Sequence, residues 1–364
     1  MRRSEGIFPP VALAARRASA AGHRFAVATA AATFVLLIVG SLVHGTGSSL
    51  ACPDWPLCYG SFFPKMENGV EFEHTHRLVA TAVGLMTLAL LTLLARARDR
   101  RLLGLGIAAA ILVVVQGVLG GITVLYQLPR AVSIAHLATS MCFFSLILVT
   151  ALRTGPSSPV ALPGAAKLRR ELAFAWAVVL VQIILGGLVR HTASGLACLD
   201  VPLCHGVLVP GAAPERIQML HRFGALAAGS VAVLVALRVR RRTQAAPSLR
   251  RLALLPIALV AAQIALGVSS VLSLLNLTII TAHLAVGAAL LGSLVVLFER
   301  LRPEEHRSVR AARGVPRHPP RKYARGAAIA LTALFLVGAV LVQRSRATRR
   351  AALPVCCSRS SLFP

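Results

Sequence analysis

SIAHLATSMCFFSLILVTAL, residues 133–152, carries no charge over twenty positions and places one imidazole, His136, near its edge. That length matches the hydrocarbon core of a bilayer crossed by a helix. An open strand is excluded there, because its backbone polar groups would find no partners in lipid. Working outward, runs of the same kind recur near 25–43, 77–95, 103–125, 172–190, 222–238, 251–272 and 278–298, with 222–238 the shortest. The 364-residue chain is 56% apolar and 14% charged, with a mean hydropathy of +0.74, a balance that soluble globular domains do not show. The expected fold is an all-α polytopic membrane protein.

The net charge of +27 is a topology signal. Five basic side chains fall in 2–24, four in 96–101, four in 153–170, six in 238–251 and nine in 300–325, so alternate connections hold 28 of the 39. The intervening connections hold Lys65, Arg77, Arg130, Arg190, Arg216 and Arg222, balanced by Asp54, Glu67, Glu71, Glu73, Asp200 and Glu215. This is the positive-inside pattern. It places the N-terminus in the cytoplasm and accounts for the charge without a nucleic-acid partner. No apolar segment ending in a small-residue cleavage site is present, so no removable signal peptide is expected. Arg16, Arg17 and nearby alanines admit a mitochondrial transit peptide, but Glu5 and the short distance to the first helix favour a cell membrane over a mitochondrial inner membrane. A ninth apolar run, 326–342, is barely long enough to span. A crossing would put Arg344, Arg346, Arg349, Arg350 and Arg359 outside, against the charge rule. A ninth helix in an appended tail is expected, with an interfacial segment as the alternative, and no chemistry there.

The two halves of the chain repeat. AHLA recurs at 135–138 and 282–285, QGVLG (116–120) corresponds to QIALG (263–267), and CPDWPLC (52–58) to CLDVPLC (198–204). Four histidines keep this register at the edges of apolar runs: His221 lies 145 residues after His76, and His283 lies 147 after His136. An even number of crossings per repeat keeps both halves in one orientation, so a pseudo-two-fold axis should run along the membrane normal. The expected organisation is a basic N-terminus (1–24), a four-helix half (25–153), a linker (154–171), a second four-helix half (172–299) and a basic tail (300–364).

Paired imidazoles on neighbouring helices can hold a haem iron within a bundle, and ionisable groups at membrane depth are costly enough to mark function. The four repeated histidines therefore point to two haem-type sites near the outer face. Zinc fits less well, since no third or fourth ligand recurs at coordinating spacing. His44, His74, His191 and His205 lack full partners in the repeat and are read as packing or hydrogen-bonding residues. Glu73 stands three residues before His76 at a helix start, on the same face, while the matching residue is Gln218, which cannot ionise. An acid favoured by the helix dipole is the alternative for Glu73, yet the asymmetry points to one catalytic and one supporting half. Cys52–Cys58 and Cys198–Cys204, in loops facing an oxidising compartment, are expected to close as disulfides, either as staples or as redox groups. Cys142 is read as packing, and Cys356 and Cys357 belong to the tail. Arg77 and Arg222 follow two of the histidines and are placed to pair with haem propionates or to anchor their helices at the interface.

GSSLACPDWPLC (47–58), EHTHR (73–77), the two AHLA segments and MLHR (219–222) resemble the haem A synthase family, over about residues 25–299. The resemblance implies an eight-helix membrane enzyme of two four-helix bundles. It also implies oxidation of the C8 methyl of haem O to the formyl of haem A, for cytochrome oxidase. Carried over, it puts His76 and His136 at the substrate haem, Glu73 beside the reacting methyl as the catalytic group, and His221 and His283 on the iron of a haem b cofactor. Haem O synthase, an electron acceptor, membrane lipid and further copies of the chain follow as expected partners. The second cysteine loop departs from the first by Leu199 for Pro53 and Val201 for Trp55, and His44 stands where the other half has Arg190. The main rival is a dihaem b-type electron carrier of the quinol oxidoreductase kind, which needs no Glu73. A transporter built on parallel repeats would need charges at the midplane, and the apolar runs show none.

Overall fold

The computed structural model describes residues 10–97, 99–156 and 159–303; the ninth apolar run at 326–342 and Cys356 and Cys357 lie outside them. Among the described residues eight helical segments are long and apolar enough to cross a membrane, and the chain is an all-α polytopic membrane protein. They are α1 (Pro10–Gly45), α2 (Val70–Arg96), α3 (Arg100–Leu125), α4 (Arg130–Thr154), α5 (Ala165–His191), α6 (Ala213–Arg242), α7 (Pro247–Leu252) continued by α8 (Leu254–Leu272), and α9 (Leu277–Arg300). Caps set several boundaries. Asp99 accepts from Arg101 N and Leu102 N at the start of α3, and Asn276 accepts from Thr278 N and Ile279 N at the start of α9. The α7/α8 break lies where Pro256 cannot donate to a carbonyl one turn earlier. The short run at 222–238 is the apolar centre of a 30-residue helix whose ends, Glu215 to Gln218 and Arg240 to Arg242, are polar. Hydropathy registers only that centre.

Side-chain packing closes two cycles. In the first half α1 packs on α2, α2 on α3, α3 on α4 and α4 on α1; in the second α5 packs on α6, α6 on α8, α8 on α9 and α9 on α5. The cycles meet where α9 also packs on α1 and α4, and α4 on α5. Half of the α9 spanning window is buried, against 17% for α3 and for the α7–α8 crossing, which makes α9 the seam helix and those two peripheral. One core cluster joins Leu37, Met141, Phe144, Leu172, Leu291 and Leu294 across the seam, and another joins Ala26, Val83, Leu90, Ala109 and Ile147 within the first half. Close approach uses small residues: a Cβ on Gly106 of α3 would stand 3.1 Å from Leu91 and Leu94 of α2. Hydroxyls at membrane depth bond their own helix, as when Thr33, Thr87 and Thr154 donate to the carbonyls of Thr29, Val83 and Thr150.

At the basic end the linker is tied back to the second half. Val160–Leu162 (β1) pairs in parallel with Leu301–Pro303 (β2). Arg153 donates to both carboxylate oxygens of Glu299, at 2.9 and 2.7 Å. Arg169 covers the Phe298 ring and donates to the carbonyls of Phe298 and Leu301.

Candidate functional site

At the opposite end, the connections α1–α2 and α5–α6 each fold a cysteine loop. Cys52 is bonded to Cys58 and Cys198 to Cys204, with Cα atoms 4.9 and 5.1 Å apart, and all four are fully buried. Loops this tight, with prolines inside, leave carbonyls that no helix or strand satisfies, and buried carbonyls need donors. The arginines supply them. Arg77 donates to the carbonyls of Asp54 (2.7 Å), Leu57 (2.5 Å) and Cys52 (3.3 Å) and pairs with the Glu73 carboxylate. Arg222 donates to those of Asp200 (2.6 Å), Leu203 (3.1 Å) and Cys198 (2.7 Å). The guanidiniums read as propionate partners thus face the loops and hold them over the helix ends.

Glu73 and Gln218 are both 3% exposed and do the same local work. Glu73 Oε2 accepts from Cys52 N at 2.7 Å, and Gln218 Oε1 accepts from Cys198 N at 2.5 Å. Gln218 Nε2 donates as well, to the Gly195 carbonyl at 2.9 Å. The difference is therefore charge: the first half keeps a carboxylate paired to Arg77, the second a neutral amide. Sulfur atoms of Cys52 and Cys58 lie within 4.8 Å of a His74 nitrogen, but both sulfurs are in the disulfide and His74 Nε2 bonds the Phe62 carbonyl, so this is no metal centre.

Below the loops lie the four repeated histidines, on α2, α4, α6 and α9. His76 is within charge range of His136, and His221 of His283. Each ring meets a glycine of the neighbouring helix through its Cε1 atom. A Cβ on Gly40, Gly120, Gly186 or Gly267 would stand 3.1, 3.5, 3.1 or 3.2 Å from Cε1 of His76, His136, His221 or His283 respectively. Gly120 and Gly267 sit inside the repeated QGVLG and QIALG segments, whose glycines sequence reading treated only as register marks. Buried Nδ1 atoms of His76, His136 and His283 have no hydrogen-bond partner; the backbones of Gln116 and Gln263 face the last two rings without meeting hydrogen-bond geometry.

The pairs differ in what steadies them. Gln182 Nε2 lies 2.9 Å from both His221 Nδ1 and the His221 carbonyl, and Gln263 Nε2 lies 3.3 Å from His283 Nε2. In the first half, Gln116 turns instead to the His136 carbonyl (3.1 Å) and Thr139 Oγ1 (2.5 Å). Its counterpart has Val286 at the Thr139 position, which leaves Gln263 no hydroxyl to engage, and Gln182 has Leu36 as its counterpart. Both imidazoles of the second pair carry a side-chain amide and neither of the first does. Gln182 escapes sequence reasoning because it breaks the repeat. Trp55 lies on Gly121, where a Cβ would come within 2.9 Å of the indole, and the second half has Val201 and Val268 at these places. A large residue on a glycine is exchanged for two of middle size.

The chain is similar to known proteins. Residues 23–295 match the family model COX15-CtaA, cytochrome oxidase assembly protein. The heme A synthase of Symbiobacterium thermophilum is 34% identical over 266 residues, covering 69% of this chain and 86% of that protein. The heme A synthase of Shewanella oneidensis is 30% identical over 308 residues, 73% of this chain and 92% of its own, and that of Geobacillus kaustophilus 31% identical over 284 residues.

Proposed function

Since this chain belongs to the COX15-CtaA family of cytochrome oxidase assembly proteins, we propose that it is a haem A synthase. Its substrate is haem O, whose C8 methyl is oxidised to a formyl group by two successive hydroxylations and loss of water, with water as the oxygen source and the four electrons passing to a separate electron acceptor. The half formed by 25–153 receives the substrate between His76 and His136, and the half formed by 172–299 holds haem b between His221 and His283. The N-terminus lies in the cytoplasm of a cell whose membrane the eight helices cross, and the cysteine loops lie outside. The observation that carries this reading is the asymmetry of two otherwise matched sites. The charge at Glu73 is confined to one half, and the steadying glutamines Gln182 and Gln263 to the other.

The residues present fit a haem in each half. The four imidazoles are paired across helices, three keep a buried nitrogen without a partner, and the glycine beside each ring leaves it space. When bound, haem b supplies one-electron redox chemistry. The side chains do the rest. Gln182 and Gln263 touch the second pair of rings; with its amide oxygen turned to the ring, each would accept the N–H of the nitrogen not held by iron and fix ring orientation, as outer-shell acceptors do for metal-ligating histidines. A transient substrate calls for rings that can release it, which suits His76 and His136 without amide partners. Glu73 keeps lone pairs on both oxygens beyond its bonds to Cys52 N and Arg77, so it can accept a proton leaving the methyl carbon. A dihaem electron carrier would need no charge there, since Gln218 shows that the loop is held without one.

Expression in a bacterial host whose own haem A synthase gene is deleted tests the function. The host accumulates haem O, and chromatography of extracted haems should show haem A once this chain is supplied; haem O alone, with the protein present in the membrane, would exclude it. The glycine slots give a second expected result. Gly186→Ala places a Cβ against the His221 ring, and overpacking of this kind costs roughly 1–3 kcal/mol. The purified variant should therefore hold less haem b, with a shifted absorption maximum. Gly84→Ala in α2, where a Cβ meets nothing within 4 Å, should match wild type. Identical spectra for Gly186→Ala and Gly84→Ala would show that the ring does not depend on its glycine.

A further inference from the structure

Three nitrogen-bearing side chains that the chemistry above does not use converge where the two cycles of helices meet. His44 lies at the end of α1, and Arg190 and His191 at the end of α5. Positions 44 and 190 correspond in the repeat. The rings of His44 and His191 stack, with centroids 4.6 Å apart and 30° between their planes. Arg190 lies within charge range of both rings. Its Nη2 is 3.8 Å from where a Cβ on Gly45 would stand, at a spot also lined by Leu277 and Ile280 of α9.

These donors lack an acceptor. His44 Nδ1 is 3.1 Å from Ser49 Oγ, while Nε2 is buried with no partner. With the serine hydroxyl donating to Nδ1, the neutral ring carries its proton on Nε2. The Arg190 guanidinium makes no ion pair and no hydrogen bond among the described residues. A partly buried guanidinium without a counter-charge is costly, whereas Arg77 and Arg222 donate to loop carbonyls through both terminal nitrogens. A planar fork of N–H donors beside an imidazole N–H matches a carboxylate. Arg190 also stands one helical turn, about 6 Å, beyond Gly186, the glycine that lines the His221 ring. A carboxyl group at the edge of a ligand held by His221 is therefore within its reach.

We propose that Arg190, with His44 and His191, forms a carboxylate site at the seam between the halves, and that it takes a propionate of the haem held by His221 and His283, an assignment that rests on the reading of those two residues as ligands. The site would fix the cofactor's orientation and set a positive charge beside it, and Arg190 is a positioning residue in this sense. Sequence reading gave both histidines a packing role because neither has an imidazole partner in the repeat. Their pairing is with each other, across the seam.

The test uses purified haem-loaded protein as wild type, Arg190→Gln and Arg190→Lys, with haem carrying ¹³C at the propionate carboxyls. Reduced-minus-oxidised infrared spectra should show a labelled carboxylate band that moves in Arg190→Gln. The midpoint potential of haem b should fall in Arg190→Gln, because a cation near the haem favours the reduced state. Arg190→Lys should recover most of the potential and only part of the band position, since it restores charge but not the fork. Unmoved bands and an unmoved potential at full haem content would overturn the proposal. So would a wild-type potential that follows added phosphate while the labelled bands ignore Arg190→Gln, which would assign the site to a soluble anion. Should Arg190→Gln fail to accumulate, His44→Phe removes the Nε2 donor while keeping a ring to stack, and an unmoved band there overturns the proposal equally. Haem b that persists in His221→Ala would bring down the ligand assignment and this proposal together, a separate outcome because that variant keeps Arg190.

Discussion

Replacing His221 or His283 by Ala should remove the low-spin haem b spectrum from the purified protein, whereas replacing His76 or His136 should leave it in place. The expectation follows from the two cycles of helices and from the amides that steady only one pair of rings. An outer-shell partner of a metal ligand is worth roughly 10–100-fold in affinity, the size expected for Gln182→Leu. Loss of His221 or His283 itself should exceed that range, because each would supply one of the two imidazoles that hold the haem. Spectra of dithionite-reduced protein, normalised to polypeptide, read the result. An unchanged spectrum in both His221→Ala and His283→Ala would remove the second half as a haem site. Loss in His76→Ala alone would reverse the assignment of the halves.

Glu73→Gln should lose most haem A formation while retaining haem b. General acid–base groups supply on the order of 10²–10⁴ in rate, and a carboxylate in a water-poor site also stabilises developing positive charge. This substitution ordinarily confounds charge with structure, because Glu73 accepts from Cys52 N and so helps to hold the first cysteine loop. The second half separates the two. Gln218 accepts from Cys198 N in the same way, so an amide at this position is a sufficient staple, and Arg77 retains its three loop carbonyls without the carboxylate. Gln218→Glu should change haem A formation far less, if that half holds the cofactor haem as proposed. Haems O and A are quantified in a host lacking its own enzyme, at matched expression of each variant. Wild-type levels of haem A in Glu73→Gln would leave Glu73 as a loop staple only.

Much of the molecule was legible before any coordinates. Membrane helices reveal themselves because the bilayer imposes length and composition on every crossing. Seven of the eight runs coincide closely with observed spans, and 222–238 fell short only because the ends of α6 are polar. The repeat was legible because Cys, His and Gln keep register through otherwise interchangeable apolar positions. Register also pointed to Glu73 and Gln218 as equivalents, and the structure adds that both bind a cysteine N–H.

What sequence reading could not decide is where each donor finds its acceptor. Arg77 and Arg222 adjoin histidines in the chain, and adjacency suggested haem propionates. Their guanidiniums donate to carbonyls that lie some twenty residues earlier and that only the folded loops leave without partners. Gln182 acts on His221 from a helix 39 positions away, and its counterpart Leu36 hides it from any comparison of the halves. Each glycine beside a ring is informative only once α1, α3, α5 and α8 are placed against their neighbours. His44 and His191 meet across the seam, although the repeat matches neither to a histidine. The sequence by itself determined the crossings, the repeat and the titratable groups, because bilayer thickness and chain register act along one dimension. The tertiary structure decided the partners, because a hydrogen bond depends on which groups the packing leaves unsatisfied, and that is settled only in three dimensions.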